Sequence, residues 1–265
     1  MITMDDKYRF EYFGFEPEAG YEDPITPMFE RKTLLIPGKV GAWDFGIEER
    51  EKPFAFPLRI DERLHNDMQK KFDDFIAFWF DAFGKPRKVK IVRDYDPDKF
   101  YIVKIAAEIL PERLPEEGNF ILPLVANYPR RRFIESTENI GWDSDIPFES
   151  DISFDGEYEF QITAPQQLNI VNDGKLAIRP TIRITGATDT LTLSINGQSF
   201  SFGKITSPID IRGEEYTVLV GGKSSFSAMN GDITKLILLP GDNLISVSGT
   251  NLNINISFTF HFEYL

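Results

Sequence analysis

Short runs of alternating apolar and polar residues fill the second half of the chain, and turn residues separate them. Residues 177–184 read Ala-Ile-Arg-Pro-Thr-Ile-Arg-Ile, and residues 191–195 read Leu-Thr-Leu-Ser-Ile. The second run meets Asn196-Gly197 and continues as Gln-Ser-Phe-Ser-Phe, the strongest short signal for a two-residue hairpin. A further strand is predicted over 215–220, ended by Gly221-Gly222. Another is predicted over 235–239, running into the turn cluster Pro240-Gly-Asp-Asn. Leu244–Ser248 follows, and Asn253–Tyr264 alternates for about twelve residues, long for a strand. Strands at this spacing predict an antiparallel sandwich or barrel.

The first half is mixed. Tyr8–Phe15 predicts an opening strand, and 16–33, with three prolines and several acids, predicts a long loop. Phe54–Ile60 predicts a strand interrupted by Pro57. Residues 88–92 and 100–105 flank Asp94-Tyr-Asp-Pro-Asp and predict a hairpin with a longer loop. Between them Leu64, Met68, Phe72, Phe75, Ile76, Trp79 and Phe83 recur at helical spacing. A helix over about 62–83 follows, with Asp61 as N-cap and with Gly84 and Pro86 ending it. Phe78 and Phe80 lie off the stripe, so the helix end is apolar nearly all round. Such an end fills a core or meets a partner.

Charge separates the halves. The first is dense in charged residues, whereas the second is rich in Ser, Thr, Asn and Gly. Two domains are expected, 1–139 and 140–265, with the border inside 128–150, where Pro129, Pro147 and Arg130-Arg131-Arg132 break the periodicity. The 265 residues suffice for at least one large core, and 24 Phe argue against general disorder. The net charge of −13 lacks the footprint of a nucleic-acid binder and disfavours anionic lipid. Zero cysteines exclude disulfides, thiolate metal sites and a cysteine nucleophile. The start, Met1–Asp6, predicts no signal peptide, and no apolar stretch is long enough to predict a membrane-spanning helix.

Candidate chemistry is sparse. Asp94, Asp96 and Asp98 imitate the opening of a calcium loop, but Lys99 and Ile105 stand where such a loop needs Gly and Glu. A solvated turn is expected instead. Gly221-Gly-Lys-Ser-Ser imitates a phosphate loop, yet Thr217 replaces the first glycine and no helix is predicted to follow. The pairs Glu48-Glu49 and Glu116-Glu117 are expected on solvated surface. His65 is expected exposed on the helix and His261 structural in the closing strand. Arg130–Arg132 are expected to meet acids of another domain or subunit. No catalytic, cofactor-binding or metal-binding residue is predicted, no cofactor is implied, and an enzyme has no positive support.

Several segments nevertheless resemble one family. Ile36-Pro-Gly-Lys-Val-Gly-Ala-Trp-Asp-Phe-Gly, then Phe54–Ile60, a helix and Asp96-Pro-Asp-Lys-Phe-Tyr-Ile-Val-Lys are similar to the N-terminal domain of siphophage distal tail proteins. Ala126-Asn-Tyr-Pro resembles the segment that closes that domain, with Tyr and Pro reversed. Gly174 and Arg179–Gly186, then a hairpin, then Leu238-Leu-Pro-Gly-Asp-Asn-Leu-Ile and a long closing strand resemble the family's C-terminal half.

The resemblance implies a mainly β chain. It comprises an N-terminal β-sandwich or split-barrel domain with one main helix and a C-terminal antiparallel galectin-like β-sandwich. It also implies a structural virion protein of the phage tail, assembled in the bacterial host cytoplasm. Members form hexameric rings, single or stacked, that join the tail tube protein to tail-tip or baseplate proteins. No membrane partner and no sequence-specific nucleic-acid binding are implied. Phe78, Trp79, Phe80 and Phe83 either contribute to the ring contact or fill the N-terminal core. The alternative function is a carbohydrate-binding sandwich, against which Trp43, Trp79 and Trp142 all precede the predicted sandwich and its own aromatics are mostly core-facing Phe.

Overall fold

The computed structural model describes residues 1–113, 116–140, 152 and 156–265; Trp142 and Pro147 lie outside them. Two compact units emerge. Unit 1 is Met1–Arg132 with Leu265, and unit 2 is Phe133–Tyr264. The division falls within 128–150 and ahead of the 139/140 border.

Unit 1 contains β1 (Ile2–Met4), β2 (Glu16–Pro17), β3 (Phe29–Leu35), β4 (Ala42–Glu49), β5 (Lys52–Asp61), helix α1 (His65–Trp79), β6 (Val89–Arg93), β7 (Asp96–Ile105), β8 (Glu112–Arg113) and β9 (Glu117–Ala126). The main sheet runs β1-β6-β7-β9-β5-β2, with β8 on β9. Neighbouring strands in it run antiparallel, and β7 meets β9 through Lys104↔Val125 and Ile105↔Leu124. β5 keeps its full ten residues despite Pro53 and Pro57. Ala55 bonds Glu22, and the Pro57 carbonyl accepts from Glu18 at 2.9 Å. Odd positions of β5 therefore bond away from β9, and both prolines fall where a missing N–H costs no bond in that ladder.

The helix buries Met68, Phe72, Phe75 and Trp79. Phe15 stacks its ring 4.8 Å from Phe75, 5.3 Å from Phe72 and 5.3 Å from Phe120 on β9. The helix is shorter than predicted at both ends. Asp61 belongs to β5, paired with Glu117, so Leu64 takes the N-cap position without a side-chain cap. At the other end Arg87 donates its backbone N–H to the Trp79 carbonyl at 2.9 Å, and its guanidinium donates to the Phe78 carbonyl. These carbonyls are thereby satisfied without another turn. Phe80 turns extended and bridges Pro86, leaving Phe83 88% exposed.

The predicted strand over 8–15 is also corrected. Phe10–Phe13 is a 3₁₀ turn, closed at Gly14 in the left-handed region. That turn sends Phe10 and Phe15 into one core, which a straight strand would not do. Residues 16–33 hold β2 and the start of β3 rather than only a loop. The β6–β7 hairpin is present, but Arg93 faces Asp96 and the loop is two residues.

The short β10 (Arg131–Phe133) carries the chain across the division. Unit 2 contains β11 (Glu159–Ile162), β12 (Gln166–Asn172), β13 (Thr181–Ala187), β14 (Thr190–Ile195), β15 (Gln198–Phe202), β16 (Ile209–Arg212), β17 (Thr217–Val220), β18 (Lys223–Ser224), β19 (Met229–Asn230), β20 (Gly241–Thr250), β21 (Asn253–Thr259) and β22 (Glu263–Tyr264). One sheet runs β11-β21-β13-β16-β17-β18 and the other β12-β20-β14-β15-β19. The apolar positions of both meet in one core, including Ile184, Leu193, Phe200, Ile245 and Ile256. Asn196 and Gly197 have φ of 50° and 76° and turn β14 directly into β15, the geometry that an Asn-Gly pair favours. Gly221-Gly222 makes a similar turn between Val220 and Lys223, so this segment is a hairpin and not a phosphate loop.

Two predicted strands are corrected here. Residues 235–239 form no strand; Asp232 caps a 3₁₀ turn over Ile233–Lys235, and only Leu238 bridges, to Ile178. The closing run divides into β21 and β22. Ile254, Ile256, Phe258, Phe260 and Phe262 all stay buried, but beyond Thr259 the backbone bonds residues 133–137 instead. Thr137 Oγ1 donates to the Phe258 carbonyl at 2.9 Å and accepts from the Phe260 N–H at 3.2 Å.

The Pro-Gly-Asp-Asn turn is organised by Asn243, which is 1% exposed. Its Oδ1 accepts from the Leu239 N–H at 2.8 Å, and its Nδ2 donates to the carbonyls of Leu239 and Gly241 at 2.8 and 2.9 Å. Replacing Asn243→Ala strands these buried backbone groups, and a loss of about 2–3 kcal/mol in urea unfolding is expected. Phe75→Ala opens a cavity beneath α1, with an expected loss of about 3–5 kcal/mol at the unit 1 transition.

Candidate functional site

A sheet must cover its apolar faces, and β3 and β4 do not. They pair only with each other, and all fifteen residues of the two strands are exposed. The register shifts between Arg31 and Thr33, because β4 carries an extra residue at Gly46, φ 102°. The Gly46 N–H donates to Asp44 Oδ1 at 2.9 Å, which fixes this bulge.

The hairpin is zoned along its length. Near its root Lys32 pairs with Glu48, and Arg50 pairs with Glu30. The hydrogen bond from Lys32 holds the Glu48 carboxyl below its ordinary range. Toward the tip the side chains become apolar. The adjacent pairs Leu34↔Trp43 and Leu35↔Ala42 point to opposite faces of the ribbon. Leu35 is 76% exposed and Val40 99%, and Lys39 Nζ lies 3.4 Å over the Trp43 ring. Leu34, Leu35, Ile36, Val40, Trp43, Phe45 and Ile47 together form a contiguous exposed apolar patch, the kind of surface that marks an interaction site.

The root is anchored by a buried cluster. Met28 and Arg50 exchange backbone bonds with Glu51 and Met28 across the two legs. Lys52, 2% exposed, donates to the Tyr101 hydroxyl at 2.8 Å and reaches the Ile25 carbonyl at 3.5 Å. Arg93 pairs with Asp23, and Tyr95 donates to the same carboxylate at 2.9 Å. Burial pushes the Lys52 ammonium down to about 8, and neighbouring Arg93 adds to this, against the pull of Asp23. Burial raises the Tyr101 hydroxyl, and burial with the Asp23 bond raises Tyr95 to about 12.

The expected interface residues fall elsewhere. Trp79 is fully buried, and Phe78 packs on Tyr8 and Phe13 within unit 1. Of the two expectations for the helix end, core filling holds for Trp79 and Phe78, whereas Phe83 is exposed; the hairpin carries a separate apolar surface. Two of the three arginines meet acids of their own unit: Arg130 bonds Glu49 at 3.0 Å, bracing β4, and Arg131 bonds Asp96 at 2.8 Å, while the Arg132 guanidinium lies 4.2 Å over the Tyr128 ring. Asp94 is engaged by Arg9 and by the N-terminal amine, and Asp96 also by Lys99. His65 is exposed, and His261 Nδ1 lies 2.9 Å from the Phe133 carbonyl. Glu48 and Glu116 are exposed, whereas Glu49 braces Arg130 and Glu117 pairs with Arg59. Among the described residues no group of three or more His, Asp or Glu is placed to hold a metal ion, and no helix is long and apolar enough to cross a membrane.

Unit 2 offers a different surface. A groove beside β11 and β12 is lined by Gln161, Gln166, Gln167, Asn169, Glu157 and the ring of Phe160.

Lys52 generates a pH prediction. Between pH 8 and 10 the unfolded chain holds a proton that the folded chain has released, so stability rises with pH in this window. The cost of the buried charge, about 1–3 kcal/mol, is fully present below pH 8. The tyrosines act with the opposite sign above pH 10, because their folded forms keep protons longer. Urea unfolding of Lys52→Met should be more stable than the parent at pH 7 and should lose the rise between pH 8 and 10.

Comparison with known proteins gives this geometry a context. Residues 8–126, which include the hairpin, its root and α1, match the phage tail protein RIFT-related domain. The chain superimposes on the crystal structure of SPP1 Dit (gp 19.1), a hub adsorption apparatus protein of phages infecting Gram-positive hosts. That match has a TM-score of 0.69 at 11% identity and covers 100% of both chains. The phage P2 baseplate in its activated conformation aligns over 93% of this chain and 90% of that chain, at 9% identity and a TM-score of 0.37. No curated protein matches the sequence. Residues 8–126 thus match a phage tail protein RIFT-related domain, within a chain that shares the fold of SPP1 Dit over its whole length.

Proposed function

We propose that this chain is a non-enzymatic structural protein of a phage virion. It is a distal tail hub whose copies close into a hexameric ring between the tail tube and the tail-tip or baseplate proteins. Unit 1 is the ring-forming part and unit 2 a galectin-like sandwich. Assembly takes place in the host cytoplasm before the protein enters the tail. The observation that carries the reading is the β3–β4 hairpin, an apolar ribbon with no cover of its own inside a phage tail domain. A surface of this size and polarity marks an interaction site. A closed ring needs a contact that repeats by rotation.

The groove lined by four amides, Glu157 and Phe160 supports a second reading, carbohydrate binding by unit 2. Sugars are held by amide and carboxylate hydrogen bonds with a ring against the pyranose. A glycan array separates the readings, because a hub needs no glycan for assembly.

Light scattering tests the first reading. The monomer is 30.4 kDa, so a hexamer is about 182 kDa and stacked rings are twice that. A strict monomer at high concentration overturns the ring. Leu35→Glu combined with Val40→Glu should leave the unfolding midpoint nearly unchanged, because both side chains are exposed. The same pair should shift the solution mass toward the monomer by at least tenfold in the concentration needed to assemble.

A further inference from the structure

The hairpin tip needs a receiving surface, and unit 1 carries one. A cavity of about 370 Å³ lies beside β2 and β5. Phe10, Phe56 and Pro57 line it, and the exposed rings of Tyr21 and Tyr95 flank it. At its base Arg93 and Asp23 are matched with each other, and Glu18, which also lines it, is exposed at the rim. An apolar side chain entering the cavity therefore strands no charge.

We propose that the hairpin tip of one copy seats in this cavity of the next copy. The inference rests on the ring reading and names the surfaces that make it. Charge supports the pairing. The tip, residues 34–43, holds Lys39 and no acid, in a chain of net charge −13. The segment beside the cavity, residues 16–23, reads Glu-Pro-Glu-Ala-Gly-Tyr-Glu-Asp, four acids and no base. A basic apolar knob thus faces an acidic rim around an apolar hole. Two copies of the tip facing each other would instead bring like charges together. Knob and hole are different surfaces of the same unit, so the contact is heterologous. Such contacts propagate from copy to copy and close into a ring when the rotation allows. The tip is apolar on both faces, which suits insertion into a recess better than laying one face on a flat surface.

The absence of cysteine makes the test clean. Chains carrying Val40→Cys and chains carrying Ala19→Cys, one of them tagged, are produced together and treated with a short bismaleimide. Both positions are exposed, and Ala19 lines the cavity. Mixed dimers are expected in most of the assembled material, and neither variant alone should cross-link above one-tenth of that yield. Self-linking by Val40→Cys, or an assembly of unchanged mass without mixed dimers, overturns the seat while leaving the ring standing. A chain that stays monomeric without any substitution overturns both.

Discussion

The contact of Phe15 with Phe72, Phe75 and Phe120 decides where the rest of unit 1 goes. It joins three separate segments of the chain: the turn after residues 10–13, the buried stripe of α1, and β9. With Phe15 held there, residues 16–22 must run along the outer edge of β5, where Glu16, Glu18 and Glu22 supply the backbone partners that Pro53 and Pro57 do not disturb. That path brings Asp23 and Ile25 to Arg93 and Lys52. The hairpin starts from a fixed base because the aromatic cluster upstream has fixed the approach to it.

A fixed base explains how a two-stranded ribbon stays ordered without a core. An isolated hairpin is marginal in water. Here the two legs are tied by backbone bonds at Met28, Arg50 and Glu51 and by the cluster around Lys52. The cluster holds two buried cations against one carboxylate, Asp23; burial above all lowers the Lys52 ammonium, and Arg93 adds to it. Burying an ammonium is a poor way to gain stability. It is a good way to fix a position, since few arrangements satisfy it. The root thus trades stability for a defined direction, which a surface that must meet another protein requires.

Unit 2 was readable from residue pattern because most of its strands have one covered face. Period-two alternation then survives in the sequence, and Asn196-Gly197 and Pro240-Gly-Asp-Asn mark turns whose geometry is local. Residues 235–239 fail by the same logic: buried Leu236 and Leu238 mimic alternation, but Asp232 turns the chain before a ladder forms. The helix was found by its stripe, yet its ends were not, since β9 claims Asp61 and Arg87, eight residues beyond Trp79, closes the C-terminus. Those partners are distant in sequence and carry no local signal. The hairpin was harder still. Its apolar residues serve no core of their own copy, so they follow no single face, and the bulge at Gly46 breaks the period. The remaining signal was weak: a Pro-Gly-Lys-Val-Gly turn with apolar residues on both sides and no acid between 34 and 43.

The two units solve the same problem in opposite ways. Unit 2 stacks two sheets over one shared core, and its exposed large apolar residues, among them Tyr216, Phe226 and Leu244, are scattered over separate elements. Scattered apolar residues are ordinary on a monomer. Unit 1 covers its main sheet with α1 and then leaves a second sheet with no cover. Seven exposed large apolar residues crowd within residues 34–47, on one element with a charged root. Concentration on one anchored element is what an association that must repeat with the same geometry in every copy demands. The ion pairs sit at the root and the apolar side chains toward the tip, so the ribbon divides its polarity along its length.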